Sequence, residues 1–271
     1  MKTEIKKEMT RQEEFMRQHR HHHHMITFWR ALVFVLFLAL WELSADRGWI
    51  DSFFFSSPSR VILCFVKQIQ TNSMLSHIGV TLFETIASFL LVLFFSLIVS
   101  TLLWYSPKLS EVLEPYLVVL NSLPKSALAP LFIVWLGTGA TTIIVAGISV
   151  AIFGSIISFY TGFKQVDEEK ITLIYTLGGV KRDAFLKVVL PGSVPILLST
   201  AKVNIGLALV GVIIGEFLAA RRGLGYLIIY GSQVFRLDMV ITSIIVLCVI
   251  ALLFYQSIQL IEHQIKIRFK M

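Results

Sequence analysis

Apolar residues fall into six long blocks with short polar interruptions, at about residues 28–45, 78–104, 112–136, 141–163, 195–218 and 239–261. Their lengths are those of helices crossing a hydrocarbon core of about 30 Å, which takes about 20 residues. Two shorter segments break this rhythm. Ser56-Ser57-Pro58-Ser59 is a helix-start signal, and the stretch 60–69 after it alternates apolar and polar residues at helical spacing but is too short to cross. It predicts an amphipathic helix lying on a membrane interface. Residues 164–190, between the fourth and fifth blocks, predict two short helices. Asp167-Glu168-Glu169 places negative charge where a helix begins, and Ile171, Ile174, Tyr175 and Leu177 follow on one face. Gly178-Gly179 then stops that helix, and a second is expected from Lys181 to about Val189, ended by Leu190-Pro191.

Composition narrows the class. Hydrophobic residues make up 56% of the 271 and charged residues 15%, against roughly 25% charged in an ordinary soluble domain. With a mean hydropathy of +0.77, the chain lacks the polar skin a soluble core needs. Disorder and nucleic-acid binding are excluded on the same ground, and membrane lipid is the expected surrounding. The net charge of +7 is explained by its placement. With six spans both termini share a side, and that side holds 16 of the 24 Lys and Arg against six opposite, Lys125 and Lys202 lying within spans. The positive-inside rule therefore puts both termini in the cytoplasm.

The expected fold is all-α: a polytopic bundle of six transmembrane helices with a cytoplasmic loop at 164–191 between spans four and five. Residues 1–27 form a polar cytoplasmic tail, 28–265 the membrane domain and 266–271 a basic tail. The first span is expected to anchor the chain, since no small-residue cleavage site follows it. Cys64 and Cys248 are too few for a disulfide scaffold and are read as small apolar packers. The run His19-Arg20-His21-His22-His23-His24 has no carboxylate or thiolate companions to fix a metal geometry, so no metal site is expected.

The segment Gly178-Gly179-Val180-Lys181-Arg182-Asp183-Ala184-Phe185-Leu186-Lys187-Val188-Val189-Leu190-Pro191 resembles the cytoplasmic signature, often called the EAA loop, of ABC importer permeases. In that family a glycine is followed ten residues later by an aliphatic residue and then by Leu-Pro, positions held here by Gly178, Val188, Leu190 and Pro191. Thr172-Leu173-Ile174 stands where the family carries Glu-Ala-Ala, and the nearest acids, Glu168 and Glu169, lie a helical turn earlier. Trp41-Glu42, Ser57-Pro58, the stretch from Leu123-Pro124-Lys125 to Trp135-Leu136-Gly137, and Gly215-Glu216-Phe217-Leu218-Ala219-Ala220 with Gly223-Leu224-Gly225-Tyr226 are similar to the nitrate, sulfonate and taurine branch.

The resemblance covers about 27–265 and implies a bacterial inner-membrane transport subunit, not an enzyme. It implies a second permease copy, in a homodimer or heterodimer, two cytoplasmic ABC ATPases, and an extracytoplasmic substrate-binding protein. The chain has no G-x-x-x-x-G-K-[ST] phosphate loop. ATP and Mg²⁺ are therefore expected on the partner ATPase, with no cofactor on this chain. The cargo expected is a small anion such as a sulfonate, nitrate or taurine, although other branch members carry pyrimidine or thiamine precursors or riboflavin-like compounds.

Two sets of residues are candidates for function. Ile171, Thr172, Ile174, Tyr175, Gly178, Phe185, Val188, Leu190 and Pro191 would form the ATPase-coupling loop, with the faces around Ile171, Ile174, Tyr175 and Phe185 in a groove of the ATPase. Lys125, Lys202, Asn204 and Glu216 are candidates for the pathway. A charge at the depth of Lys125, between Pro124 and Pro130, costs about 2.5 kcal/mol or more; it either lines a wet interior or is neutralised within the bundle. Lys202 and Asn204 are expected to face inward. Glu216 either closes an outer gate by pairing with Arg221 or Arg222, or sits in the interface. Trp104 and Tyr105 read as interfacial anchors. The rival reading, an ion-coupled secondary transporter, calls for mid-membrane carboxylates, whereas Glu42, Glu84 and Glu216 lie towards the outer ends of their spans.

Overall fold

The computed structural model describes residues 25–26 and 28–269; residues 1–24 with the histidine run, Thr27, Lys270 and Met271 lie outside the described residues. Among the described residues there are helices and no strands. In chain order they are α1 (Phe28–Asp46), α2 (Ser52–Phe55), α3 (Pro58–Gln70), α4 (Ser73–Tyr105), α5 (Pro107–Ser122), α6 (Lys125–Leu136), α7 (Ala140–Lys164), α8 (Glu168–Thr176), α9 (Lys181–Ala184), a π-helical turn (Phe185–Val189), α10 (Leu190–Ala219), α11 (Leu224–Gln233) and α12 (Leu237–Phe269). Backbone of the expected C-terminal tail is thus helical as far as Phe269.

The chain divides into two compact units, the second beginning at Cys64. In the first, α1 presents Phe34, Phe37 and Leu40 outward, as a helix in lipid does. Its Glu42 caps α3 at a distance: the carboxylate accepts the backbone N–H of Ser59 at 3.0 Å and its hydroxyl at 2.6 Å. The first turn of a helix leaves N–H groups without intrahelical partners, and an acid satisfies them while meeting the positive end of the dipole.

The second unit is built on α4, α7 and α10. Small residues let these helices approach closely. A Cβ on Gly211 would come within 2.8 Å of Gly147 Cα, and one on Gly215 within 2.9 Å of Ile143 Cα. Buried serines add hydrogen bonds between the helices where lipid offers none: Ser88 Oγ donates to Ile144 O at 3.2 Å and Ser193 Oγ to Gly162 O at 3.1 Å. A further core joins Cys64 and Met74 to Leu224, Leu227, Met239, Val246 and Ile250 beneath α11 and α12. Cys248, by contrast, is exposed.

Two expectations about continuity are corrected. The third block is not a straight span: α5 and α6 meet at 95°. Pro124 cannot donate to the α5 ladder and holds Leu123 in an extended conformation (ψ 139°), so the helix stops at Ser122 and restarts at Lys125. Among the described residues five helices are long and apolar enough to cross, and this bent pair supplies a sixth crossing only if its two arms count as one. Conversely, Leu190-Pro191 does not end a helix. The segment from Lys181 runs through the π turn into α10, with the N–H of Leu190 bonded to Phe185 O. That i→i+5 step widens the helix immediately before a residue that lacks a donor and whose ring needs room.

Candidate functional site

The segment between α7 and α10 folds as a hairpin of two short helical pieces. Asp167 caps α8, accepting the N–H of Glu169 at 3.0 Å. At the other end Gly178 takes φ +83°, a left-handed conformation that costs an L side chain about 1–2 kcal/mol. The N–H of Gly179 then reaches Ile174 O at 2.8 Å, closing the last turn of α8. Asp183 fastens the start of α9 by accepting the N–H of Val180 at 3.1 Å, and it pairs on the surface with Lys187 at 3.0 Å.

An aromatic cluster holds this hairpin to the bundle. Phe185 and Phe163 are buried with Val189, and Trp104, Tyr105, Ile171 and Leu190 pack around them. Phe185 lies 5.1 Å from the Trp104 ring, 5.5 Å from Tyr105 and 5.3 Å from Phe163, centroid to centroid. Phe185 is therefore not available to a partner's groove, and Ile171 leans the same way, while Ile174 closes against Gly179. The outward apolar face is a different one, made of Leu173 (56% exposed), Tyr175 (45%), Leu177 (75%) and Val180 (61%). Thr172 and Pro191 are also exposed, and Val188 is half-buried. Of the expected docking face only Tyr175 stays outward among its four residues. The helical spacing of 171, 174, 175 and 177 predicts one apolar face, but the structure divides it, with Ile171 and Ile174 half-buried and Tyr175 and Leu177 exposed.

The pathway candidates separate. Lys125, in the first turn of α6, turns back to donate to Leu120 O and, at 3.2 Å, to Asn121 O, and its ammonium lies 5.3 Å from the Phe153 ring centroid. It caps the broken end of α5, whose last carbonyls have lost their intrahelical partners. Lys202 pairs with Glu262 of α12 and lies over Tyr255. Asn204 is fully buried, and its Nδ2 has no hydrogen-bond partner among the described residues.

Glu216 makes no ion pair with Arg221 or Arg222 among the described residues. It is buried, accepting the Thr81 hydroxyl at 2.6 Å and the N–H of Gly225 at 2.5 Å. Thr81 Oγ1 accepts the N–H of Leu224 at 2.9 Å, and His77 Nδ1 that of Gly223 at 2.9 Å. Three successive amides at the entry to α11 are thus held by one imidazole, one hydroxyl and one carboxylate. Gly223 (φ +123°) and Gly225 are required by this closeness, since a Cβ on either would run into the Glu216 side chain. Glu84 is buried beside Glu216, and its Oε2 has no hydrogen-bond partner among the described residues. Glu216 and the Gly-x-Gly after it were visible in the sequence; His77 and Thr81, four residues apart on α4, carry no local signal of their role.

Residues 92–267 match the model of the family described as "Binding-protein-dependent transport system inner membrane component". A probable ABC transporter permease of Haemophilus influenzae is 30% identical over 86% of this chain and 94% of its own length. A formylaminopyrimidine transport permease of Halalkalibacterium halodurans is 25% identical, covering 86% and 92%. A putative aliphatic sulfonates transport permease of Bacillus subtilis is 25% identical, covering 84% and 83%. An inward-facing structure of the MetNI methionine ABC transporter aligns with TM-score 0.62 over 72% of this chain and 96% of that one, at 18% identity, a likeness of fold. The hairpin between two spans, the all-helical bundle and these matches agree: the chain belongs to the binding-protein-dependent inner-membrane transport family and is an ABC importer permease subunit.

Proposed function

We propose that this permease moves a small anionic solute of the sulfonate, taurine or nitrate class into a bacterial cell, driven by ABC ATPases that dock on the 164–191 hairpin. The observation that carries the docking is the exposed row Leu173, Tyr175, Leu177 and Val180. Four apolar side chains on a polar, basic segment outside the spans are costly in water and suit a partner's groove. In this reading both termini and the hairpin are cytoplasmic, residues 28–265 make the transmembrane domain, and two permease copies enclose the route. ATP and Mg²⁺ are held by the ATPase alone, and an extracytoplasmic binding protein delivers the cargo.

The sulfonate-named relative supports an anion. A specific observation favours a second reading, a pyrimidine precursor or similar uncharged cargo. Lys125 and Lys202 are both engaged within the chain, and one relative is named for formylaminopyrimidine. In either case selection rests mainly on the binding protein.

The test has two arms. Leu177→Asp should insert in the membrane at parental levels yet lose co-purification with its ATPase by about tenfold or more, the loss expected when a charge is buried in an apolar groove; undiminished co-purification would refute the docking face. A ligand screen on the partner binding protein, by thermal shift with taurine, alkanesulfonates, nitrate and formylaminopyrimidine, assigns the cargo. Stabilisation by the pyrimidine alone would replace the anion reading with the second.

A further inference from the structure

The hairpin is joined in sequence only to α7 and α10, yet its most heavily bonded lateral contact is with the end of α4. Lys181, in the first turn of α9, donates from Nζ to the carbonyl of Tyr105 at 2.9 Å. Tyr105 is the last residue of α4, so this carbonyl is one that the helix cannot satisfy internally. The same ammonium lies 5.4 Å from the Trp104 ring centroid and 5.8 Å from that of Tyr105. Both rings pack in turn on buried Phe185, four residues after Lys181 in the same segment. A cation over two rings, a charge-assisted bond to a helix C-terminus and an aromatic cluster beneath them all act at one point. The far end of α4 carries His77 and Thr81, which hold the entry to α11.

We infer that Lys181 is a positioning residue that makes α4 move with the ATPase-coupling hairpin as one body, so that hairpin motion reaches the α11 entry on the other side of the membrane. The inference rests on the docking proposed above. Displacement of the hairpin pulls the Lys181 ammonium against Tyr105 O and the two rings, and α4, a continuous helix of 33 residues, carries the displacement to its other end. Without the clasp the hairpin still docks, but α4 no longer follows it.

The experiment uses the full-length permease, with Cys64 and Cys248 replaced by serine, assembled with its ATPase in nanodiscs. Spin labels at Leu102→Cys and Lys170→Cys, both exposed positions off the docking row, report the distance from α4 to the hairpin, nucleotide-free and after vanadate trapping of ADP. The parent and Lys181→Arg should give one narrow distribution, unchanged on trapping. Lys181→Met should bind the ATPase equally but give a distribution at least twice as broad, or one that shifts on trapping. A narrow, unshifted distribution in Lys181→Met overturns the inference, as does a Lys181→Arg indistinguishable from a broadened Lys181→Met. If Lys181→Met does not accumulate, Trp104→Leu, which removes one ring and leaves the carbonyl, is read by the same criteria. Failure of the docking proposal looks different: the parent then does not retain the ATPase, while the nucleotide-free distances still test the clasp.

Discussion

Thr81 does two jobs with one oxygen, donating to Glu216 and accepting from Leu224 N–H. Removing it leaves a buried carboxylate oxygen and a buried amide each short of a partner, a loss of about 1–3 kcal/mol per group. Thr81→Val, which keeps the shape, should therefore lower stability in denaturant or thermal unfolding by at least about 1 kcal/mol, whereas Thr81→Ser should stay close to the parent. Glu84 gives a second test of the same network. Glu84 is buried beside Glu216, and a glutamine there keeps its size and offers an N–H, so Glu84→Gln should be tolerated, whereas Glu84→Ala, which leaves a buried gap, should destabilise; unfolding midpoints of the two variants decide. The sequence showed that Glu216 is unusual, because an acid in an apolar block is expensive. It suggested an arginine partner because Arg221 and Arg222 are close by in the chain. The folded chain uses backbone amides instead, which an amino-acid string does not display.

Among the elements, what was legible followed periodicity and what was not followed from contacts between helices. The five unbroken spans, the amphipathic α3, the Asp167 cap and the Gly178 stop all arise from residues within a turn or two of each other, and the structure has them close to where the pattern put them. The bend at Pro124 and the run-through at Pro191 show proline acting in opposite ways. At the first the preceding residue is extended and a lysine is at hand to cap the broken end; at the second a π turn makes room. The facing of α8 was not legible, since it depends on where Trp104 and Tyr105 lie, far earlier in the chain. The tie between α10 and α12 has a measurable size. Lys202 and Glu262 are largely buried, and disrupting one member of such a pair costs about 3–5 kcal/mol. Lys202→Met and Glu262→Gln should each lower the unfolding midpoint, and the double variant should lose less than the two added together; strict additivity would show the pair to be uncoupled.

For the molecule as a whole, the 16 to six imbalance of basic residues makes a prediction that the fold alone does not. Lys170 in the hairpin, off the docking row, and Phe235 between α11 and α12 are both exposed. In a version without native cysteines, Phe235→Cys should react with a membrane-impermeant maleimide in intact cells, and Lys170→Cys only after the cells are opened. The reverse pattern would invert the proposed orientation. The family assignment gains from the structure at this scale, because the continuous helical backbone from Lys181 to Ala219 joins the second arm of the hairpin to Glu216 as one body. The π turn within that body has a further consequence. Each residue of an α-helix turns the chain by about 100°, so the extra residue accommodated between Phe185 and Val189 fixes the angle at which α9 and the hairpin stand around the α10 axis. Deleting one residue there would swing Phe185 out from between Trp104 and Phe163 by about a quarter turn, with no residue on the hairpin's outer surface altered. The aim of the docking face is therefore encoded in a count of residues behind it, as the bite of a key is set by how far the blade is turned in the hand.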